Sequence, residues 1–188
     1  MNIYDFDHTI YDGDSSHDFC IYALRRHPGL CRYLPLALVG LFRYAVLRAD
    51  RVATKEGSWA LLRGLSDEQL DTLIADFWDT HRYKMCPWYL AQKKPDDVII
   101  SASPAFYLKS FVEEELGVRL IATAMDTHTG KLPEKNCHRE EKVRRFRAVY
   151  GDAVPEEAYS DSDSDLPMIR LARKAFRVVD GKPRPWEF

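Results

Sequence analysis

The chain lacks the features that mark disulfide-rich, zinc-thiolate and membrane-spanning proteins. Only four of its 188 residues are cysteines, and no two of them form a CxxC pair. So few, scattered thiols are typical of a reduced intracellular protein. The most apolar run, residues 34–42, is far shorter than the roughly 20 residues that a membrane-spanning helix needs. We expect this run to form a buried helix, with membrane-surface contact as the alternative because arginines flank it.

The chain also lacks a strong excess of charge of either sign. Lys and Arg number 27 against 29 Asp and Glu, which gives a formal net charge of -2. A nucleic-acid partner is therefore not expected, because such proteins carry a basic field. A secretory leader, with its charged and apolar regions, does not fit before Asp5, so a cytoplasmic location is expected. The oligomeric state is left open.

The first fourteen residues, MNIYDFDHTIYDGD, contain four aspartates among apolar side chains. Asp5 and Asp7 lie on either side of Phe6, directly after an apolar pair. A solvated acidic terminus would not normally surround its charges with large apolar residues. Residues 2–6 are therefore predicted to form a short buried strand that ends at these acids.

The remaining pattern divides the chain into a helical part and an alternating part. Residues 15–83 carry apolar side chains at helical spacings and show no strand-like alternation. From residue 97 onward, short apolar strands alternate with helices, which predicts a mostly parallel sheet covered on both faces. We therefore predict an α/β fold with a Rossmann-like three-layer core formed by residues 1–14 and 84–188. Residues 15–83 are predicted to be an all-helical cap inserted after the first strand.

Local patterns predict where several elements begin and end. Ser66 followed three residues later by Gln69 fits a capping box at the start of a helix. Helices are also expected over residues 54–62, 106–116, 140–150 and 166–174, a hairpin turn over 125–132 and an irregular tail over 182–188.

Three of the predicted strands end in polar residues. The first ends at Asp5 and Asp7, the second at Ser101, and the third at the acidic segment that contains Asp161 and Asp165. Ligands of open α/β sheets bind beyond the carboxyl ends of the strands. Carboxylates gathered there would repel each other unless a cation intervened, and an all-oxygen site suits Mg²⁺. The sequence therefore predicts a divalent-cation site at this edge of the sheet.

The order of these motifs resembles the haloacid dehalogenase-like hydrolase superfamily. The matching residues are, in chain order, Asp5-x-Asp7-x-Thr9, Ser101, Lys142 and Asp161-x-x-x-Asp165. The helical insertion and the segments SASPAFYL, NCHREEKVRRF and YSDSDSDLPM resemble the phosphoserine-phosphatase-like branch, including phosphatidylglycerophosphatase C-type proteins. The chain departs from the common pattern at His8, where many members have glycine.

The resemblance implies a Mg²⁺-dependent phosphatase that works through an aspartyl-phosphate. Asp5 would be the nucleophile. Asp7 would protonate the leaving group and then act as the base that activates water. Mg²⁺ would be held by the side chains of Asp5 and Asp161 and by the main-chain carbonyl of Asp7.

The resemblance also implies how the phosphoryl group is bound. The phosphate-binding residues would be Thr9, Ser101 and Lys142. Asp165 would orient Lys142 or a metal-bound water. Lys135 is the rival of Lys142, which lies in the segment EEKVRRFR, typical of an exposed helix face, where Glu140 and Glu141 could pair with it. Ser103 is the rival of Ser101, because both follow the predicted strand. Asp14 lies where the related phosphoserine enzymes carry an acid that meets the substrate, although it fits a helix N-cap equally well.

The implied substrate is a small phosphorylated metabolite, such as a phosphoamino acid, or a phospholipid headgroup phosphate. Two other functions use similar chemistry. One is a phosphoaccepting signalling domain of the response-regulator type, but its acceptor lies on a middle strand, which here ends in Ser101. The other is a phosphotransferase or mutase of the same superfamily, which would pass the phosphoryl group to an alcohol.

Overall fold

The structure, a computed structural model, describes residues 1–35 and 59–188. These residues form two compact units. The first comprises Met1–Ser15, Arg82–Thr123 and Lys135–Phe188, and the second comprises the described residues of Ser16–His81 together with Ala124–Glu134. Most of the apolar run 34–42, and residues 54–58 of the helix expected over 54–62, lie outside the described residues.

A six-stranded sheet forms the centre of the first unit. Its strands are β1 (Ile3–Tyr4), β2 (Val98–Pro104), β3 (Arg119–Thr123), β4 (Glu157–Ser160), β5 (Lys174–Val179) and β6 (Lys182–Pro185). Their order across the sheet is β3-β2-β1-β4-β5-β6, and every neighbouring pair is parallel except β5 and β6. The mostly parallel α/β core predicted from the sequence is therefore confirmed.

The central strands are buried, which explains their apolar sequences. Ile3 of β1 lies opposite Val98 of β2 on one side and Ala158 of β4 on the other. All three side chains are buried in one hydrophobic cluster. Strands with helices on both faces carry continuous apolar runs rather than alternation. Because β1 is flanked on both sides by paired strands, the residue that follows it is delivered to the middle of the sheet's edge.

Helices cover the sheet of the first unit and build the second. They are α1 (Ser15–Arg26), α2 (Asp67–His81), α3 (Pro87–Gln92), α4 (Ala105–Lys109), α5 (Glu140–Tyr150) and α6 (Leu166–Ile169). A π-helical segment, Ser110–Glu115, continues α4, and short 3₁₀ turns cover Pro28–Tyr33, Ala60–Gly64, Arg82–Lys84 and Asp163–Asp165. In the described part of the chain, no helix combines the length and apolar character that crossing a membrane would require.

Two predictions near the carboxyl terminus were wrong. The helix expected over 166–174 ends at Ile169, because Lys174 already begins β5 and its N–H donates to the Glu156 carbonyl. The tail expected to be irregular forms β6 instead. Asp180 and Gly181 both have positive φ, 52° and 68°, as the favoured two-residue hairpin turn requires. The prolines in β6 are tolerated because it is an edge strand.

The second unit is held by aromatic packing and by contacts to residues 124–134. Phe19 of α1 meets Phe77 of α2 edge to face, with ring centroids 5.1 Å apart. The Arg63 guanidinium donates to the carbonyl of Thr129. The turn expected over 125–132 is present, but it does not join two strands: β3 ends at Thr123 before it, and no described strand follows it until β4. Residues 124–134 fall in the range predicted for the core, but they belong to the second unit with the helices.

The capping box predicted at the start of α2 is confirmed. The Ser66 N–H donates to Gln69 Oε1 at 3.0 Å, and the Gln69 N–H donates to Ser66 Oγ at 3.3 Å. These two bonds satisfy donors that the first turn of a helix otherwise leaves unpaired.

Replacing Ser66 by alanine is expected to lower the free energy of unfolding by about 1 kcal/mol, because the cap is lost. Chemical denaturation of the full chain measures this change. Thr72→Ala is the matched control, since that exposed hydroxyl only bonds back to the Glu68 carbonyl within α2. Equal destabilisation by the two changes would contradict the capping role.

Candidate active site

The carboxyl ends of three adjacent strands bring the sequence motifs together. Asp5 follows β1 directly, Ser101 lies in β2, and Asp161 follows β4. Because β1 lies between β2 and β4, these residues come to the same edge of the sheet. The Asp5 N–H donates to the Tyr159 carbonyl at 2.9 Å, which continues the β1–β4 pairing to the acid itself.

Lys142 joins the first and the last motif. It lies in the first turn of α5, and its side chain is only 2% exposed. Its Nζ donates to Asp5 Oδ1 at 2.6 Å and to Asp165 Oδ2 at 2.8 Å. Asp165 Oδ2 also accepts a hydrogen bond from Ser160 Oγ at 2.8 Å. Acids from opposite ends of the chain thus meet around one buried cation.

The three charges of this group lie close enough to change one another's pKa values. The pKa of Asp5 is raised to about 7. Burial is the main cause and the charge of Asp165 adds to the rise, while the attraction of Lys142 opposes it. Burial by itself would lower the pKa of Lys142. The attraction of Asp5 and Asp165 outweighs burial, so the pKa of Lys142 is raised and the lysine stays charged.

Asp7 is held by hydrogen bonds to both of its carboxylate oxygens. Oδ1 accepts from the Ser15 N–H at 2.7 Å and from Ser15 Oγ at 2.5 Å, and Oδ2 accepts from Ser103 Oγ. Burial raises the pKa of Asp7, and the hydrogen bonds from Ser103 and Ser15 oppose that rise. The carboxyl group therefore has a fixed orientation and an environment that favours proton uptake.

Thr9 links the loop after β1 to the loop after β4. Its Oγ1 accepts from the Asp161 N–H at 3.1 Å and donates to Asp161 Oδ1 at 3.4 Å. Thr9 is fully buried, and burial raises the pKa of Asp161. The hydroxyl that the resemblance assigned to phosphate binding is thus occupied by Asp161 in this structure.

The structure separates the rival residues by their surroundings. Lys142 is buried between two carboxylates, whereas the Lys135 side chain is exposed and its carbonyl accepts a hydrogen bond from Arg145. Ser101 and Ser103 are both buried. The Ser103 hydroxyl donates to Asp7, while Ser101 Oγ accepts from the Ser103 N–H at 3.0 Å and keeps its own proton for another acceptor.

Two further predicted positions border this group. His8 has a φ of 56°, in the left-handed region where glycine is least strained, which explains why glycine suits this position. Asp14 is exposed and directly precedes α1. Its charge adds to the raised pKa of Asp7, so it lies near that carboxyl group.

Three hydroxyl-bearing residues that sequence reasoning did not assign to the site contact its acids directly or through one intermediary. Ser160 donates to Asp165, Ser15 donates to Asp7, and the Tyr107 hydroxyl lies 2.8 Å from Ser15 Oγ. Ser160 could have been found, because it immediately precedes the acidic segment. Ser15 and Tyr107 are 92 positions apart in the chain, and no local signal connects them.

The residues present fit a divalent cation of the magnesium type. The oxygens available are the carboxylates of Asp5 and Asp161 and the main-chain carbonyl of Asp7. Asp165 Oδ1 is buried and has no hydrogen-bond partner among the described residues. Burial raises the pKa values of Asp5 and Asp161, and the neighbouring charge of Asp165 adds to both rises. Within residues 1–35 and 59–188 no three His, Cys, Asp or Glu side chains form a metal-binding group.

Comparison with known proteins identifies the family. A family model described as haloacid dehalogenase-like hydrolase matches residues 3–170. Protein CicA from two strains of Caulobacter vibrioides is 34% identical over 93 residues. That alignment covers 46% of this chain and 42% of the relative, so the match spans less than half the length of either protein.

Solved structures share the fold of this chain. A protein of unknown function from Bordetella pertussis Tohama I is 22% identical, with a TM-score of 0.73 over 93% of this chain and 87% of that one. A probable phosphoserine phosphatase from Vibrio cholerae is 14% identical, with a TM-score of 0.64 over 93% of this chain and 55% of that one. At these identities both likenesses show the shared fold alone, and the resemblances to the phosphoserine-phosphatase-like branch and to phosphatidylglycerophosphatase C-type proteins stay predictions. The chain belongs to the haloacid dehalogenase-like hydrolase family.

Proposed function

We propose that this chain is a Mg²⁺-dependent phosphomonoester hydrolase that works through an aspartyl-phosphate on Asp5. The observation that carries the proposal is the bridge from Lys142 Nζ to Asp5 and Asp165. It holds a cation within hydrogen-bond distance of a carboxylate oxygen at a strand end. Phosphoryl transfer depends mainly on positioning and on neutralising the charge of the transferred group. A fixed ammonium group beside the nucleophile supplies both.

The chemistry divides into two balanced steps. In the first, an Asp5 carboxylate oxygen attacks phosphorus, the bond from phosphorus to the alcohol oxygen breaks, and Asp7 gives its proton to that oxygen. In the second, water attacks the aspartyl-phosphate and gives a proton to Asp7. The bond from phosphorus to Asp5 then breaks, which releases phosphate and restores both carboxyl groups to their starting state.

Ser101 and Lys142 are the proposed phosphate-binding residues. The Ser101 proton remains available for a phosphoryl oxygen, whereas the Ser103 hydroxyl already donates to Asp7. Lys142 neutralises charge on the transferred group, and Asp165 orients the ammonium group through its 2.8 Å contact. Thr9 acts on the site through Asp161, because it fixes the loop that carries this acid.

The proposed metal ligands are the Asp5 and Asp161 carboxylates and the Asp7 carbonyl. Two side chains and one carbonyl leave room for water and a phosphate oxygen, as Mg²⁺ prefers. When bound, the metal neutralises the excess carboxylate charge and polarises the phosphoryl group.

The proposed substrate is a small phosphorylated metabolite or a phospholipid headgroup phosphate. A cleft of about 560 Å³ lies beside the proposed metal ligand Asp161 and is also lined by His8 and Arg177. Asp14 is a candidate contact to an amino group on the substrate. The division into a core (residues 1–14 and 84–188) and a helical cap (residues 15–83) that sets specificity belongs to the same proposal.

The proposal is tested by turnover of p-nitrophenyl phosphate in the presence and absence of metal. We expect steady hydrolysis with Mg²⁺, a loss of at least about 100-fold with excess EDTA, and recovery when Mg²⁺ is restored in excess. Thermal unfolding gives a second readout, because Mg²⁺ bound only by the folded protein raises the unfolding temperature. Hydrolysis that ignores chelation would contradict the metal site.

The same assay separates the alternative functions. A phosphoaccepting signalling domain would give stoichiometric labelling rather than steady release of phosphate. A phosphotransferase would divert the phosphoryl group to an added alcohol, and the phosphorylated alcohol would appear among the products. Steady phosphate release that is unaffected by added glycerol supports the hydrolase.

A further inference from the structure

Tyr107 is buried one hydrogen bond away from the proposed acid–base residue. It lies in α4, directly after β2, and its side chain is fully buried. Its hydroxyl oxygen is 2.8 Å from Ser15 Oγ, and Ser15 Oγ is 2.5 Å from Asp7 Oδ1. Three side chains from two segments of the first unit thus form one chain of hydrogen bonds.

The direction of each bond follows from counting protons. A serine hydroxyl has a single proton, and the Ser15 proton is given to the Asp7 carboxylate. Ser15 Oγ can therefore only accept from Tyr107, so the tyrosine O–H is the donor. Each hydroxyl polarises the next, which strengthens the bond that reaches Asp7.

These bonds determine which carboxylate oxygen of Asp7 can exchange a proton. Oδ1 accepts two hydrogen bonds, both from Ser15, which use its two lone-pair directions. Oδ2 accepts one bond, from Ser103, and keeps one direction open. The proton that moves to the leaving group is therefore carried on Oδ2.

We propose that Tyr107 is a positioning residue that acts through Ser15 to hold Asp7 in the orientation needed for acid–base catalysis. The inference rests on the proposed phosphatase function and adds two residues to it. Without the tyrosine hydroxyl, Ser15 Oγ loses the bond that fixes its position and polarises its proton, so it holds the Asp7 carboxyl group less firmly. Proton transfer then suffers, whereas attack by Asp5 on phosphorus does not.

The test compares substrates that differ in their need for a proton. Phenyl phosphate releases a phenol with a pKa of about 10, so its departure requires protonation by Asp7. p-Nitrophenyl phosphate releases a much more acidic phenol that leaves without such help. The ratio kcat/KM reports the step in which the ester bond breaks, so the comparison isolates the acid role.

We expect Tyr107→Phe to lower kcat/KM for phenyl phosphate by about 10- to 100-fold, a part of the full general-acid contribution. The value for p-nitrophenyl phosphate is expected to change less than about 3-fold. Ser15→Ala should give the same selective loss. Because the two hydroxyls act in series, the double variant should be no worse than Ser15→Ala alone.

Tyr89→Phe is the matched control. Tyr89 is equally buried, and its hydroxyl has no hydrogen-bond partner among the described residues, so both esters should be hydrolysed as by the wild type. Equal losses for both esters in Tyr107→Phe, or no loss in either, would overturn the role of Tyr107 but leave the proposed phosphatase function standing. A wild-type protein that hydrolyses neither ester would overturn the proposed function and this inference with it.

Discussion

Replacing Asp5 by asparagine is expected to abolish steady-state phosphate release, with a loss of roughly 10⁴-fold or more. An amide oxygen is a poor nucleophile toward phosphorus and cannot form the acyl-phosphate. Release of p-nitrophenol with Mg²⁺ measures turnover. Acid-quenched wild type should also carry a base-labile phosphoryl group on the peptide that contains Asp5, and the variant should carry none.

The same change should not unfold the protein. In the metal-free state the pKa of Asp5 is raised from 3.8 to about 7, so the ionised carboxylate lowers stability as the pH rises through that window. Asparagine has nearly the same shape and no charge, and its oxygen can still accept from Lys142. We therefore expect an unfolding temperature at neutral pH that is equal to or above that of the wild type.

Asp163→Asn is the matched control for this prediction. Asp163 belongs to the same acidic segment as Asp161 and Asp165, but its side chain is exposed and pairs with Arg177 at 3.1 Å. Turnover should stay within about 3-fold of the wild type. Near-normal turnover by Asp5→Asn, or an equal loss in both variants, would refute the assignment of the nucleophile.

The positions of the strands were predictable because apolar runs end in polar residues. The strands predicted before Ser101 and before the acidic segment correspond to β2 and β4 of the structure. The parallel strand order brings Asp5, Ser101 and Asp161 to one edge of the sheet. The location of the site was therefore predictable from the strand topology, without knowledge of any side-chain contact. The sequence pattern predicts which residues lie close together, but not which hydrogen bonds they form.

The errors arose where two local signals disagreed. The dipeptide Asp180-Gly181 after an apolar run is a hairpin signal. The prolines that follow it favoured an irregular tail, because proline cannot donate to a central ladder. Only the strand order shows that β6 is an edge strand, and an edge strand tolerates proline.

The contacts of single side chains were the least predictable part of the site. Lys142 lies in the segment EEKVRRFR, where charge pairing with neighbouring acids is the obvious reading. In the structure Glu141 pairs with Arg144 and Arg145 instead. Lys142 and Phe146, four residues apart, share the buried face of α5. The burial of Lys142 could have been predicted from the register of the helix. The carboxylates that it contacts could not, because the folded sheet brings them to it.

Lys142→Met is expected to lower kcat/KM for p-nitrophenyl phosphate by about 10²–10³-fold, because charge on the transferred group is no longer neutralised. The change should also lower the free energy of unfolding of the metal-free protein by about 3–5 kcal/mol, since it leaves Asp5 and Asp165 buried without their shared cation. Methionine is unbranched and nearly as long as lysine, so the loss reports mainly the missing charge rather than a change of volume.

Lys135→Met separates this role from a general effect of removing a lysine. Lys135 is seven positions earlier in the chain and exposed, and both activity and stability should remain close to the wild type. Chemical denaturation in EDTA measures stability without metal, and steady-state kinetics with saturating Mg²⁺ measures activity. Loss of activity in Lys135→Met with none in Lys142→Met would reverse the assignment. A Lys142→Met variant that is less stable but fully active would show that Lys142 is only a structural ion-pair partner. A cation that neutralises the phosphoryl group in the reaction cannot be removed without slowing phosphoryl transfer.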